Sequence, residues 1–150
     1  MSPSRKKSIW MGEPLERLIN SRRRTADEEI NVSGAINTAV DRYLEILRRH
    51  MPTLRLGEWC ALFDNLNGVW FLDTWSPTYT WANVADHEDL GDKWGIDQDA
   101  LVQTLRSMSY AASVAVVDAA ERFWASAAAP DATGWRSAVA PIVGAEHVTD

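Results

Sequence analysis

The pattern of polar and apolar residues at the start of the chain predicts a short strand that needs a partner. Residues 4–11 form a basic, extended octapeptide, and the Gly-Glu-Pro sequence at 12–14 ends it and opens a helix. A strand of this length cannot satisfy its own backbone hydrogen bonds, and a hairpin-sized piece is not stable alone. No nearby segment supplies a second strand. The simplest partner is the same strand of a second copy of the chain, which forms a two-stranded antiparallel ribbon about a two-fold axis.

Two helices are predicted to follow the strand. The first begins at Glu13, with a proline in its first turn, and runs to about Arg24. The second begins at a cap formed by Asn31 or Ser33 and runs to about His50. Both helices carry apolar residues at the three- and four-residue spacing of one helical face. These positions are Leu15, Leu18 and Ile19 in the first helix and Ile36, Val40, Tyr43, Leu44 and Leu47 in the second.

After Pro52 the composition changes, and the pattern predicts a helical, Trp-rich domain over residues 53–129. Seven of the eight tryptophans lie beyond this point, and we expect most of them to form its core rather than a ligand pocket. Residues 130–150 are small and interrupted by Pro and Gly, which predicts a loosely packed tail with a short helix at 135–139. The other predicted helices are 57–66, 80–86, 98–108 after an Asp97 cap, and 109 or 110 to about 128.

Charge is distributed unevenly along the chain. Residues 1–55 hold eleven basic and seven acidic residues, a balance of +4, whereas the remaining residues hold four basic and fourteen acidic residues, a balance of −10. The net charge of −6 therefore combines a basic N-terminal region with an acidic remainder, which suggests two tasks on one chain. This balance supports nucleic-acid binding by the first third only.

Several other classes of protein are disfavoured by the sequence. No apolar run approaches the ~20 residues that cross a bilayer, so no membrane contact is expected. The single cysteine, Cys60, lies in an apolar helical pattern, which predicts a buried thiol in a reducing cytoplasm. Residues 86–92 are acidic and include His87, but consecutive ligands match no zinc or calcium pattern, so we expect a solvated loop. Phosphate-loop and nucleophile motifs do not occur. We therefore predict no enzyme activity, no cofactor and no metal.

Two segments of the first fifty residues resemble one family of DNA-binding proteins. Residues 31–44, Asn-Val-Ser-Gly-Ala-Ile-Asn-Thr-Ala-Val-Asp-Arg-Tyr-Leu, are similar to the second helix of ribbon-helix-helix regulators of the MetJ/Arc/CopG type. In that family a Ser-x-Ser opening precedes a hydrophobic helix with Ala-Leu and then Tyr-Leu, and here Asn31 stands where the first serine usually is. Residues 9–15, Ile-Trp-Met-Gly-Glu-Pro-Leu, resemble the family's strand-to-helix junction. The resemblance covers about a third of the chain, residues 4–50, and implies a ribbon-helix-helix domain over residues 1–52.

The resemblance also implies roles for individual residues. Alternation along the strand places Lys6, Ser8 and Trp10 on the side that enters the major groove and contacts bases. Trp10 departs from the family pattern, which usually has a polar residue there, so it either contacts DNA or is covered by the second domain. The backbone N–H groups at the start of the second helix hold a phosphate. The implied phosphate contacts are Arg5, Lys7, Val32, Ser33 and Gly34, and the implied dimer core is Ile9, Met11, Leu15, Leu18, Ile36, Val40, Tyr43 and Leu44.

Two functions follow from these features as hypotheses. The first is a bacterial-type homodimeric transcription regulator in the cytoplasm that binds double-stranded DNA and represses genes, including its own. Residues 53–129 then bind a protein partner or pair dimers into a tetramer on adjacent half-sites. The alternative is an antitoxin-like or inhibitor protein that acts through protein–protein contacts of its acidic C-terminal half.

Overall fold

The protein is mainly helical. A computed structural model describes residues 12–25, 28–67, 76–126 and 134–150, with the backbone alone at 77–79. The predicted helical class is confirmed, whereas the predicted strand at 4–11 lies outside the described residues. No helix within these ranges is both long and apolar enough to span a bilayer. The elements are α1 (Glu13–Ser21), α2 (Val32–His50), β1 (Leu54–Arg55), α3 (Leu56–Asn65), α4 (Pro77–Asp86), α5 (Leu90–Trp94), α6 (Gln98–Ser107), α7 (Tyr110–Ser126), α8 (Trp135–Val143), a 3₁₀ turn (Ala145–His147) and β2 (Val148–Thr149).

The chain divides into two compact units, Met1–Glu45 and Ile46–Asp150. The division falls inside α2, earlier than the boundary predicted after residue 52. The reason is hydrophobic burial, because Leu47, Met51 and Leu54 belong to the core of the second unit. The last turn of α2 therefore serves that core.

Helix α1 is shorter than predicted. It ends at Ser21 rather than near Arg24, and the Ser21 hydroxyl donates a 2.7 Å hydrogen bond to the Leu18 carbonyl. The backbone N–H of Arg24 instead donates to the Glu28 carboxylate at 2.7 Å. Serine hydroxyls compete with the backbone in this way, which favours helix ends over helix interiors. The three arginines at 22–24 therefore follow the helix.

Helix α2 matches its prediction, and the structure identifies its cap. The Asn31 side-chain oxygen accepts a 3.0 Å hydrogen bond from the Gly34 N–H. The Asn31 carbonyl accepts the first intrahelical bond, from the Ala35 N–H, at 2.9 Å. This is the geometry of an asparagine N-cap, so Asn31 and not Ser33 begins the helix.

The second unit is built around α3. Helix α3 contacts α4, α5, α7, α8 and both strands, and α4 also packs on α6. Trp59, Leu62 and Phe63 have no exposed surface at all. Burying such large side chains contributes about 2–3 kcal/mol each relative to exposure, so α3 supplies much of the stability of this unit.

A cluster of aromatic rings forms the centre of this core. The Phe63 ring lies 4.7 Å from the Phe123 ring, and Phe123 stacks on Trp135 at 5.1 Å between centroids. Trp94 meets the edge of Trp135 at 4.8 Å. Trp59 and Trp81 are buried as well. The prediction that most tryptophans form the core is thus confirmed for those that the structure describes.

The C-terminal segment differs from its prediction as a loosely packed tail. Helix α8 runs to Val143 rather than to residue 139, and Trp135, Val139 and Val143 are buried in the core. After it, β2 pairs in parallel with β1. The Trp59 indole N–H also donates to the His147 carbonyl at 2.9 Å. Long-range contacts of this kind, rather than local pattern, hold the segment in place.

Two local differences occur in the acidic region before α6. Helix α4 begins at Pro77, three residues before the predicted start, because proline suits the first helical turn. Residues 90–94 form the short helix α5 where only a loop was expected. The Asp97 cap is confirmed, since its carboxylate accepts a 3.0 Å hydrogen bond from the Ala100 N–H.

Gly57 lets α3 and α5 approach closely. A Cβ at this position would lie 2.8 Å from the Trp94 carbonyl oxygen and 2.9 Å from the Ile96 Cγ2 atom. One of these neighbours is backbone and cannot rotate away. Only glycine therefore fits without a shift of one helix.

We expect Gly57→Ala to lower the free energy of unfolding by about 1–3 kcal/mol, because overpacking outweighs the helix preference of alanine. Gly34→Ala is the comparison variant, since the nearest atoms to a Cβ there belong to the exposed Asn31 side chain, at 3.1 Å, and not to backbone. Its loss of stability should be smaller than that of Gly57→Ala, because the Asn31 side chain can shift whereas the Trp94 carbonyl cannot. Urea unfolding measures both, and a Gly57→Ala protein as stable as wild type would contradict the close packing.

Glu121 is a half-buried acid on α7. Burial, and then the nearby Asp118 carboxylate, raise the pKa of Glu121 above that of an ordinary glutamate. The folded state therefore holds this proton more tightly than the unfolded state does. Ionised Glu121 lowers stability above its folded pKa, and this loss disappears as the pH falls below the ordinary glutamate pKa.

Glu121→Gln should accordingly stabilise the protein at neutral pH by up to about 0.5 kcal/mol, because the side chain is only partly buried and solvent screens its charge. The gain should vanish in acid, near about pH 3. Thermal unfolding across this pH range measures the effect, with Glu88→Gln at an exposed position as control. A gain that grows in acid would reverse the predicted sign.

Candidate nucleic-acid interface

The exposed start of α2 is the described part of the predicted phosphate site. Val32 and Ser33 are exposed and occupy the first two helical positions, whose N–H groups have no carbonyl partner within a helix. The Gly34 N–H is already bonded to Asn31. The structure therefore leaves Val32 and Ser33 as the donors for an anion, while Gly34 reaches one only if the Asn31 cap opens.

The electrostatic setting of this helix start is mixed. The positive end of the helix dipole favours an anion there. Arg23 and Arg24 precede it in the sequence and are exposed, but Glu28 and Glu29 are exposed as well and oppose an anion. A phosphate bound here would depend mainly on the backbone donors.

The predicted dimer face of α2 carries partly exposed apolar side chains. Val40, Tyr43 and Leu44 are 47%, 44% and 49% exposed, and Val32 is 37% exposed. These residues fall on one side of the helix, together with the half-buried Ile36. A continuous apolar stripe of this kind on a long helix is typical of a surface that another protein surface covers.

Burial within the first unit is sparse. Leu15 and Leu18 of α1 are half-buried, and Ile19 is the one buried residue in the described part of Met1–Glu45. The sequence had placed Ile19 on the same face as Leu15 and Leu18. Two helices with so little buried surface do not supply a hydrophobic core of their own.

The remaining predicted site residues lie outside the described residues. They are the base-contacting Lys6, Ser8 and Trp10, the phosphate-contacting Arg5 and Lys7, and the dimer-core residues Ile9 and Met11. Their roles stay predictions.

Acidic side chains outnumber basic ones over residues 86–99 of the second unit. The six acids, Asp86, Glu88, Asp89, Asp92, Asp97 and Asp99, are all exposed, and the one lysine, Lys93, pairs with Asp64 at 2.6 Å. No three His, Cys, Asp or Glu side chains within the described ranges are grouped so that they could share a metal ion. This segment is a surface of negative charge, and it is unsuited to a nucleic-acid backbone.

Cys60 is a structural thiol. It is 3% exposed, as the sequence predicted, and burial together with the Asp64 carboxylate raises its pKa to about 11. The thiolate is the reactive form of cysteine, so a thiol of this kind is inert near neutral pH.

Comparison of the chain with models of protein families, with curated proteins and with solved structures found no significant match.

The apolar face of α2 predicts a change in assembly on mutation. Leu44→Lys should shift the protein from dimer to monomer at micromolar concentration, because it places a charge in the predicted interface. Thr38→Lys, which adds the same charge on the opposite side of the helix, should leave the assembly unchanged. Sedimentation equilibrium measures the mass, and the fluorescence of the buried tryptophans Trp59, Trp81 and Trp135 shows that the second unit is folded in both variants. A dimer that survives Leu44→Lys would remove this face from the interface.

Proposed function

We propose that this protein is a homodimeric DNA-binding transcriptional repressor whose first fifty residues dimerise and bind an operator. The exposed apolar stripe of α2 is the observation that carries the proposal. Val40, Tyr43 and Leu44 are each more than two-fifths exposed in a unit with a single buried residue in its described part. A second copy of the same helix pair would cover the stripe and supply the missing core.

Charge supports DNA as the ligand of the dimer. The basic balance of +4 in residues 1–55 would be doubled in a dimer, whose two-fold axis also presents two copies of the α2 start. Backbone donors at Val32 and Ser33 would then fix the register of the protein on the phosphates, while the strand residues Lys6, Ser8 and Trp10 read bases. Repression follows if the bound dimer blocks access to the promoter.

A second candidate is an inhibitor or antitoxin-like protein that acts through its acidic half. The exposed acids of residues 86–99 favour it, because such a surface complements a basic partner protein. In that case the first unit only dimerises. Co-purification of a stoichiometric basic partner would distinguish this function from repression.

Operator binding is tested by a mobility shift of the purified protein on the DNA upstream of its own gene, at about 150 mM salt. A scrambled duplex of equal length is the competitor. We expect a shift that the scrambled duplex does not remove. Lys6→Ala should relax the preference for the operator, whereas Arg5→Ala should weaken binding to every sequence. Equal affinity for both duplexes would exclude sequence-specific recognition.

The phosphate site at the start of α2 has its own test. Asn31→Asp should weaken binding to all duplexes about three- to tenfold, because it sets a negative charge beside the phosphate. Aspartate caps a helix as well as asparagine does, so stability should not fall. Asn67→Asp makes the same change at an exposed residue of the second unit and should have no effect. If Asn31→Asp and Asn67→Asp bind DNA with equal affinity, the start of α2 does not contact a phosphate.

A further inference from the structure

The second unit contains a cavity that the sequence did not indicate. It lies between α4, the end of α6 and the start of α7, and its volume is about 530 Å³. Sites for small molecules commonly measure roughly 300–1,000 Å³. The cavity is therefore large enough for a compact organic ligand.

Apolar side chains form the inner wall of the cavity. Met108 is half-buried and lines the space, and Trp81 and Leu105, which are 2% and 0% exposed, form the floor behind it. An indole, a branched aliphatic chain and a thioether present no charge. This lining favours an aromatic or branched aliphatic group, which gains from leaving water.

A single charged residue, Arg106, stands among the lining residues that the structure describes. It is exposed and makes no ion pair with any of the residues in the described ranges. The positions three and four residues away along the chain are Val102, Gln103, Ser109 and Tyr110, none of which is acidic. Its guanidinium is therefore available at the edge of an apolar space.

We propose that this cavity binds a small monocarboxylate with an aromatic or branched apolar body. The body lies against Met108, over the apolar floor that Trp81 and Leu105 form, and the carboxylate pairs with Arg106. A guanidinium presents two parallel N–H donors that match the two oxygens of a carboxylate. Arg106 is the one cation among the described lining residues, and none of them is acidic, so the site favours a ligand with a single negative charge. The inference depends on neither dimerisation nor DNA binding.

The test is a titration of the ¹⁵N-labelled full chain, without DNA, followed in amide correlation spectra. The probes are indole-3-acetate and phenylacetate, each paired with its neutral primary amide. We expect saturable shifts at residues 105–110 with the acids and at least tenfold weaker binding of the amides, since a charged hydrogen-bonded pair is lost.

Variants of Arg106 distinguish recognition of the carboxylate from binding by apolar contacts alone. Arg106→Gln should weaken binding of the acids at least tenfold, and Arg106→Lys should restore part of it as a point charge. Arg136→Gln is the control, since Arg136 pairs with Asp150 on the surface of α8 and does not line the cavity. Spectra of the unliganded variants report whether each is folded. Three results would each overturn the proposal. They are equal binding of an acid and its amide, equal effects of Arg106→Gln and Arg136→Gln, and the absence of saturable shifts up to about 10 mM ligand.

Discussion

The burial of α3 is the constraint on which the second unit depends. An aromatic helix at the centre of a core leaves indole N–H groups that must find acceptors. Trp59 donates to the His147 carbonyl, and Trp124 on α7 donates back to the Phe63 carbonyl at 2.6 Å. Trp94 on α5 donates to the Asp64 carboxylate at 3.1 Å. Packing of the aromatic rings thus buries the segments around α3. The indole hydrogen bonds, which are directional, fix the position of each segment along α3.

The two units differ in how much apolar surface they bury. The second unit covers its large apolar side chains, whereas the first leaves the α2 stripe exposed and buries little in its described part. A segment of about 45 residues rarely supplies enough core to offset its loss of conformational entropy. Association is the usual way to supply the missing burial. Dimerisation, as proposed for this protein, would therefore be a condition for stability of the first unit as well as for recognition.

Local signals in the sequence were sufficient for some elements and not for others. Asn31 and Asp97 each cap a helix through a bond to a residue three positions later, so short-range pattern locates both helix starts. The C-terminal segment was mispredicted because Trp135 packs on Phe123 and Trp94, which no local window contains. The start of α2 was expected as part of the candidate site. The cavity beside Arg106 was not, because its walls come from three separate helices.

The pairing of β1 with β2 has a kinetic consequence. Leu54 on β1 opposes Val148 on β2. The strand that directly follows α2 therefore pairs with a strand near residue 150. A ribosome releases the chain from its N-terminus, and contacts distant in sequence form slowly because a long loop must close first. The central aromatic helix therefore emerges well before the strand that covers its end. Until residues 147–149 leave the ribosome, β1 has no partner strand and the Trp59 indole N–H lacks its acceptor at His147.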